Sequence, residues 1–306
     1  MIDNFLSIHD LTMYEFNQIL ELADKIKRKP QSYRDKLKNR ILAMIFQKPS
    51  WGSRMTFEVG MLQLGGQAVC SAPSDIEMET TEIFFDTIRD ADRWVDGIAV
   101  RASAHADVRY LAKACRIPVI NAATDLYHPC QAMADYLTLR EKKGGLSGLK
   151  LAYVGEGDNV CHSLLMASAK AGMQMAVASP SGYAPDADIL RMAEEDGKET
   201  GFRCHLTSDP IQAVRDADVV YSGAWPFKEK EDEKERIAQI FKPFQVNSRL
   251  IAEAHNNAIL MHCHSSLRGR EVTTDVIDSN ISIAQDQAEN RLHVQKTVLL
   301  LLLGDK

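Results

Sequence analysis

Short apolar runs alternate with helix-period stretches along nearly the whole chain, and that alternation restricts the fold to α/β. In the first half MYEFNQILELADKIKR reads as a helix, ILAMIF as a strand and Arg54 to Leu64 as a helix, followed by strand-like QAVCS, DGIAVR and IPVINA. Strands separated by helices are βαβ units, which implies a parallel sheet. After the helix-like CQAMADYLTLREKKG and the small polar GGLSG, a second series begins with KLAYVG, a helix from about Asn159, MAVAS, DVVYSG and AILMHC. The boundary therefore falls near residues 138–148. A chain of 306 residues exceeds what one core comfortably holds, so two domains of about 150 residues each are expected. The predicted fold is two doubly wound parallel-sheet domains joined by interdomain helices, spanning 1–140 and 141–285. The last pattern, DQAENRLHVQKTVLLLLL, reads as a long helix with no following strand, and residues 286–306 are expected to pack back on the first domain.

A formal charge of -6 gives no basic field to gather nucleic acid, so the expected partners are small molecules and copies of the chain. The start lacks a basic segment before an apolar core, and no apolar run reaches about 18 residues. A soluble, cytoplasmic protein without membrane contact is expected. Cys70, Cys115, Cys130, Cys161, Cys204 and Cys263 lie far apart with no CxxC pair, which argues for reduced thiols and against a disulfide framework or a zinc site. The charge run KEKEDEKER reads as a solvated helix or loop.

In open parallel sheets ligands collect beyond the carboxyl ends of strands. After ILAMIF comes QKPSWGSRMTFE, a turn opening directly into a helix, which presents backbone N–H groups and the hydroxyls of Ser50 and Ser53 to an anion, or is an ordinary capped turn. Arg101 ends DGIAVR, where it can bind a phosphate, polarise a carbonyl or form a structural salt bridge. HPCQAMAD puts His128 and Gln131 at the mouth of a helix, with Pro129 suited to its first turn. In the second half, YVGEGDNVCHSLLMASAKAGM runs strand, Gly-rich turn, helix, but its third fingerprint glycine is replaced and Pro180 follows MAVAS where an acid belongs. No nicotinamide cofactor is expected.

These segments in this order resemble the aspartate/ornithine carbamoyltransferases, most closely the ornithine branch. TFEVGMLQLGG, HPCQAMAD, DQAENRLHVQK, and MHC followed by RGREVT carry the likeness through nearly the whole chain. The resemblance implies a first domain for carbamoyl phosphate, a second for the amine acceptor, no metal or organic cofactor, and a homotrimer with sites at subunit interfaces. It assigns the phosphate to the turn Ser50, Trp51, Gly52, Ser53 and Arg54, and the carbamoyl oxygen to Arg101 and His128. Gln131 orients the carbamoyl amide, Arg291 and the backbone around Cys263 supply the remaining contacts, and Asn159 receives the acceptor amino acid.

The chain departs from the family pattern at ligand positions. The family turn reads Ser-Thr-Arg-Thr-Arg, and its central arginine is here Gly52. Losing such a contact without replacement costs roughly several kcal/mol. The family's Asp-x-x-x-Ser-Met-Gly acceptor loop becomes Gly223-Ala224-Trp225-Pro226-Phe227-Lys228-Glu229, which removes the carboxylate that recognises the acceptor's side-chain amine. Gly223, Trp225, Phe227, Lys228 and His264 are then the candidate acceptor contacts, with Lys228 or Lys230 suited to an extra acidic group. His-Cys-Leu-Pro becomes His262-Cys263-His264-Ser265, and Glu77 stands where a glutamine commonly reaches a neighbouring subunit. The expected activity is carbamoyl transfer to an amino acid related to ornithine, with a modified acceptor. The competing readings are an authentic ornithine carbamoyltransferase, and a catalytically weak homologue that binds a ligand or regulates.

Overall fold

The computed structural model describes residues 2–71, 81–226, 230–262 and 269–305, apart from the side chains of residues 81–84 and 87. Glu77, Phe227, Lys228, Cys263 and His264 lie outside the described residues. The chain forms two compact units, Met1–Leu137 with Glu289–Lys306, and Thr138–Ala288.

The first unit contains α1 (Met13–Arg28), β1 (Ile41–Phe46), α2 (Trp51–Gln63), β2 (Gln67–Ser71), α3 (Thr81–Ala91), β3 (Gly97–Arg101), α4 (His105–Ala114), β4 (Val119–Ala123) and the start of α5 (Pro129–Lys143). Helix α1 starts at a reciprocal cap, in which the Thr12 hydroxyl accepts from the Glu15 N–H and the Glu15 carboxylate accepts from the Thr12 N–H. Its apolar spacing buries Phe16, Ile19, Leu20, Ala23 and Ile26 on one face. The sheet is wholly parallel with order β2-β1-β3-β4. Its central strands are buried because helices cover parallel strands on both faces, and Ile45, Ile98, Val100, Val108 and Leu111 form one core cluster.

The second unit contains β5 (Lys150–Val154), α6 (Asn159–Ala171), β6 (Gln174–Ala178), α7 (Ala187–Asp196), β7 (Cys204–Thr207), α8 (Pro210–Val214), β8 (Val219–Ser222), α9 (Glu231–Phe241), α10 (Ser248–Ile251), β9 (Ile259–His262) and α11 (Thr274–Ile277). Its parallel sheet has order β7-β6-β5-β8-β9. Both units thus have parallel doubly wound sheets, as the alternating pattern implies. Edge strand β7, with sequence CHLT, carries too little apolar signal to be read in advance, and its two central residues are exposed. The charge run becomes the solvated helix α9, which buries only Ile237 and Phe241. The final helix α12 (Ala284–Leu303) begins in the second unit and ends in the first.

Among the described residues no helix is long and apolar enough to cross a membrane, and no group of three or more His, Cys, Asp or Glu side chains is arranged to hold a metal ion. The described cysteines Cys70, Cys115, Cys130, Cys161 and Cys204 are free thiols.

Candidate active site

In the first unit the strand order reverses between β1 and β3, the switch point at which doubly wound sheets bind ligands. Phe46 at the end of β1 pairs in register with Arg101 at the end of β3. The turn after β1 and the guanidinium ending β3 therefore emerge side by side. A register shift between Val100 and Arg101 breaks the β3–β4 ladder there, a device that re-aims a side chain at a strand end.

Ser50 is the N-cap of α2, yet its side chain does not cap the helix; its hydroxyl donates instead to the Ser53 hydroxyl at 3.1 Å. The first-turn N–H groups of α2 are thus left without a capping side chain, as an anion-receiving helix end requires. Trp51 is 79% exposed, and Arg54 points outward toward Glu58 at 3.7 Å. Gly52 lies beneath Arg291 of α12: a Cβ built on it would stand 2.5 Å from Arg291 Nη2. The space directly above Gly52 is therefore taken by the Arg291 guanidinium.

Arg291 Nη1 donates to Gln131 Oε1 at 3.2 Å, and Gln131 Nε2 donates to Asp135 Oδ1 at 2.8 Å. A guanidinium only donates and a carboxylate only accepts, so these two partners fix which way the Gln131 amide faces. Gln131 and Asp135 are buried, one helical turn apart on α5. Asp135 carries no signal of its own in the sequence beyond that i, i+4 spacing. His128 is also buried, and its carbonyl accepts the first N–H groups of α5 from Gln131 and Ala132.

Burial, and next the positive charge of Arg291, hold the Arg101 guanidinium below its ordinary pKa. Among the described residues Arg101 has neither a hydrogen bond nor an ion pair to its side chain, and Arg291 Nε is buried without a partner. Two guanidiniums that repel each other thus stand beside an uncapped helix end, an arrangement chemically suited to an anion.

The second unit repeats the logic. Its order reverses between β5 and β8, and Val154, Ser222 and His262 stand in register across β5, β8 and β9. Asn159 opens α6, capped by Asp158, which also accepts from the Tyr153 hydroxyl at 3.0 Å. The glycines of the GEG turn serve close backbone packing: a Cβ on Gly155, at φ 153°, would lie 2.9 Å from Gly223 Cα, and one on Gly157 would collide with Pro185. A Cβ on Gly223 would collide with the Tyr153 hydroxyl. That ring is immobilised by stacking on Tyr221 and by Asp158, so position 223 has no room for a carboxylate. Trp225 is 8% exposed, tilted against Phe241 and covered by the Arg270 guanidinium at 5.7 Å. Lys230 is exposed.

The His262 Nδ1 lies 2.6 Å from the Ser222 carbonyl, which can only accept, so Nδ1 carries the proton and Nε2 the lone pair. Burial lowers the pKa of His262, opposed by that hydrogen bond and by Glu271. His105, buried beside Thr124 and Tyr127, is lowered for the same first reason. Both imidazoles bind fewer protons folded than unfolded, so the stability tied to them is present above the ordinary value of 6.5 and is lost as pH falls from there toward the lower folded value. The urea midpoint is expected to drop between about pH 7.5 and about pH 5.5, above the carboxylate range, and His105→Asn should flatten that drop.

Residues 3–141 match the model described as aspartate/ornithine carbamoyltransferase, carbamoyl-P binding domain, and residues 147–302 match its Asp/Orn binding domain. Over 303 residues the chain is 47% identical to an ornithine carbamoyltransferase of Pyrococcus horikoshii, covering 98% of this chain and 96% of that one. One from Methanothermobacter thermautotrophicus is 48% identical over 288 residues, 94% of this chain and 95% of its own. The structure of the Pyrococcus furiosus ornithine carbamoyltransferase superposes with a TM-score of 0.95 at 45% identity, covering 99% of this chain and 98% of that one. Two family domains in order, relatives matched over nearly their whole length and the shared fold make this chain a carbamoyltransferase of the aspartate/ornithine carbamoyltransferase family.

Proposed function

We propose that the chain transfers the carbamoyl group of carbamoyl phosphate to an amine of ornithine. The observation that carries this reading is Arg101, a half-buried guanidinium with no counter-charge among the described residues, set beside Arg291 at the switch point. Carbamoyl phosphate supplies an anion for the α2 end and a carbonyl oxygen for the guanidiniums. An uncharged amine attacks the carbamoyl carbon; the new N–C bond forms, negative charge builds on the carbamoyl oxygen, and Arg101 with His128 stabilises it. Gln131, held by Asp135 and Arg291, orients the carbamoyl amide. The C–O bond to phosphorus then breaks, and the leaving phosphate takes the electron pair and the proton of the amine. The acceptor follows the names of relatives at 46–48% identity.

A modified ornithine is the second reading, favoured by the lack of room for a carboxylate at Gly223. A binding-only homologue is disfavoured because Trp51 points outward and Arg291 occupies the space over Gly52. Phosphate release from carbamoyl phosphate, measured with ornithine, N-acylated ornithines, lysine, aspartate and putrescine, separates the three: ornithine is expected to turn over. Turnover of an acylated ornithine alone would select the second reading, and silence throughout with no calorimetric binding of carbamoyl phosphate the third.

We also propose a cytoplasmic homotrimer. Trp51, Met55 and Leu62 fall within about 40° of one another on α2, an exposed apolar stripe flanked by Val69 on edge strand β2. Sedimentation should return three copies, and Leu62→Asp should shift the protein toward monomers; monomeric wild type would refute the assembly.

A further inference from the structure

The second unit holds buried hydrogen-bond acceptors that its own fold leaves unanswered. Glu271 is 6% exposed, and its Oε2 is buried with no hydrogen-bond partner among the described residues. The carboxylate has no ion pair among the described residues. His262 Nε2 is likewise buried and without a partner among the described residues, and it is an acceptor because Nδ1 holds the proton against Ser222. The two side chains are close enough for the Glu271 charge to act on the imidazole. Burial keeps that imidazole neutral, so it gives the carboxylate no counter-charge.

His262 stands at the carboxyl end of β9, and Glu271 meets the end of β8 through its backbone. His262 ends β9 in register with Ser222, and the Ser222 hydroxyl donates to the Glu271 carbonyl at 3.4 Å. The next residue, Gly223, is where a carboxylate is absent and where Tyr153 leaves no room for one. A buried, unpaired carboxylate beside a lone-pair nitrogen calls for a ligand rich in donors and positively charged. An ammonium has three donors and the required charge.

We infer that Glu271, with His262, is the subsite for the charged ammonium of the acceptor. The inference rests on the carbamoyl-transfer reading. Of the two amines of ornithine, the one that attacks is uncharged, so the one Glu271 holds is the other, which stays protonated. Glu271 is thereby a specificity-determining residue that touches the acceptor and leaves carbamoyl phosphate alone.

The test is calorimetric binding of norvaline, which keeps the α-ammonium and lacks the reacting amine, to the full chain saturated with carbamoyl phosphate or, if that fails to bind, with inorganic phosphate. Wild type is expected to bind, Glu271→Gln to bind at least about tenfold more weakly, and Glu271→Asp to recover part of the loss. Affinity for carbamoyl phosphate should be unchanged in both variants, and thermal melting confirms that each is folded. Equal norvaline affinity in wild type and Glu271→Gln overturns the inference, as does absence of norvaline binding to wild type. Loss of carbamoyl phosphate binding in wild type instead counts against the carbamoyl-transfer reading itself, while the norvaline comparison on phosphate still decides the role of Glu271.

Discussion

Arg101→Ala is expected to lower kcat for carbamoyl transfer by about 10²–10³-fold, the cost of removing one donor from a site where charge develops on an oxygen. The same substitution should leave thermal stability unchanged or raised in the absence of anions. Arg101 is desolvated, is repelled by Arg291 and has no partner among the described residues to lose. Native protein should therefore be stabilised by added phosphate or carbamoyl phosphate, and the variant much less, because a ligand that binds only the folded state stabilises in proportion to the logarithm of its occupancy. Arg101→Lys keeps the charge but loses the planar fork, so its kcat should fall between the two. Turnover within threefold of wild type in Arg101→Ala would remove this residue from the reaction. A collapse in stability with no anion present would make it a structural group.

Most of the fold was legible in the sequence because parallel, doubly covered strands are short, apolar and separated by helices. The runs ILAMIF, QAVCS, KLAYVG and AILMHC each became the core of a strand in one of the two sheets. The candidate site was legible only in part. Local motifs announced Ser50, Ser53, His128 and Gln131, since strand-end turns and helix starts have their own residue signatures. The pairing of Gly52 with Arg291 was not, because it joins residues from opposite ends of the chain, and a glycine in a phosphate turn reads as a deleted contact until its neighbour is seen. Glu271 was missed for the same reason: RGREV looks like framework, and only burial without a partner distinguishes its carboxylate from a surface one. Trp225, read as an acceptor contact from its place in the loop, lies packed with Ile237 and Phe241 in an apolar cluster whose members are spread over α9.

Gly52→Ala tests whether the space over Gly52 is what lets Arg291 hold the donor. The new methyl group would meet Arg291 Nη2 at 2.5 Å, at the far end of a flexible side chain, so the guanidinium yields and the backbone does not. Folding should hardly suffer, since alanine is the better helix former by at most about 1 kcal/mol. The functional effect should be larger. Displacing Arg291 breaks its hydrogen bond to Gln131 Oε1 and withdraws a positive charge from the anion site, so the KM for carbamoyl phosphate is expected to rise by about tenfold or more, equivalent to roughly 1.4 kcal/mol or more. Arg291→Ala alone should raise it at least as much. The decisive comparison is the double variant: if Gly52→Ala acts through Arg291, adding it to Arg291→Ala changes little further, and the two effects are strongly non-additive. Additive losses would mean that Gly52 serves the phosphate directly through its backbone, and that the space beneath Arg291 has no part in holding the donor.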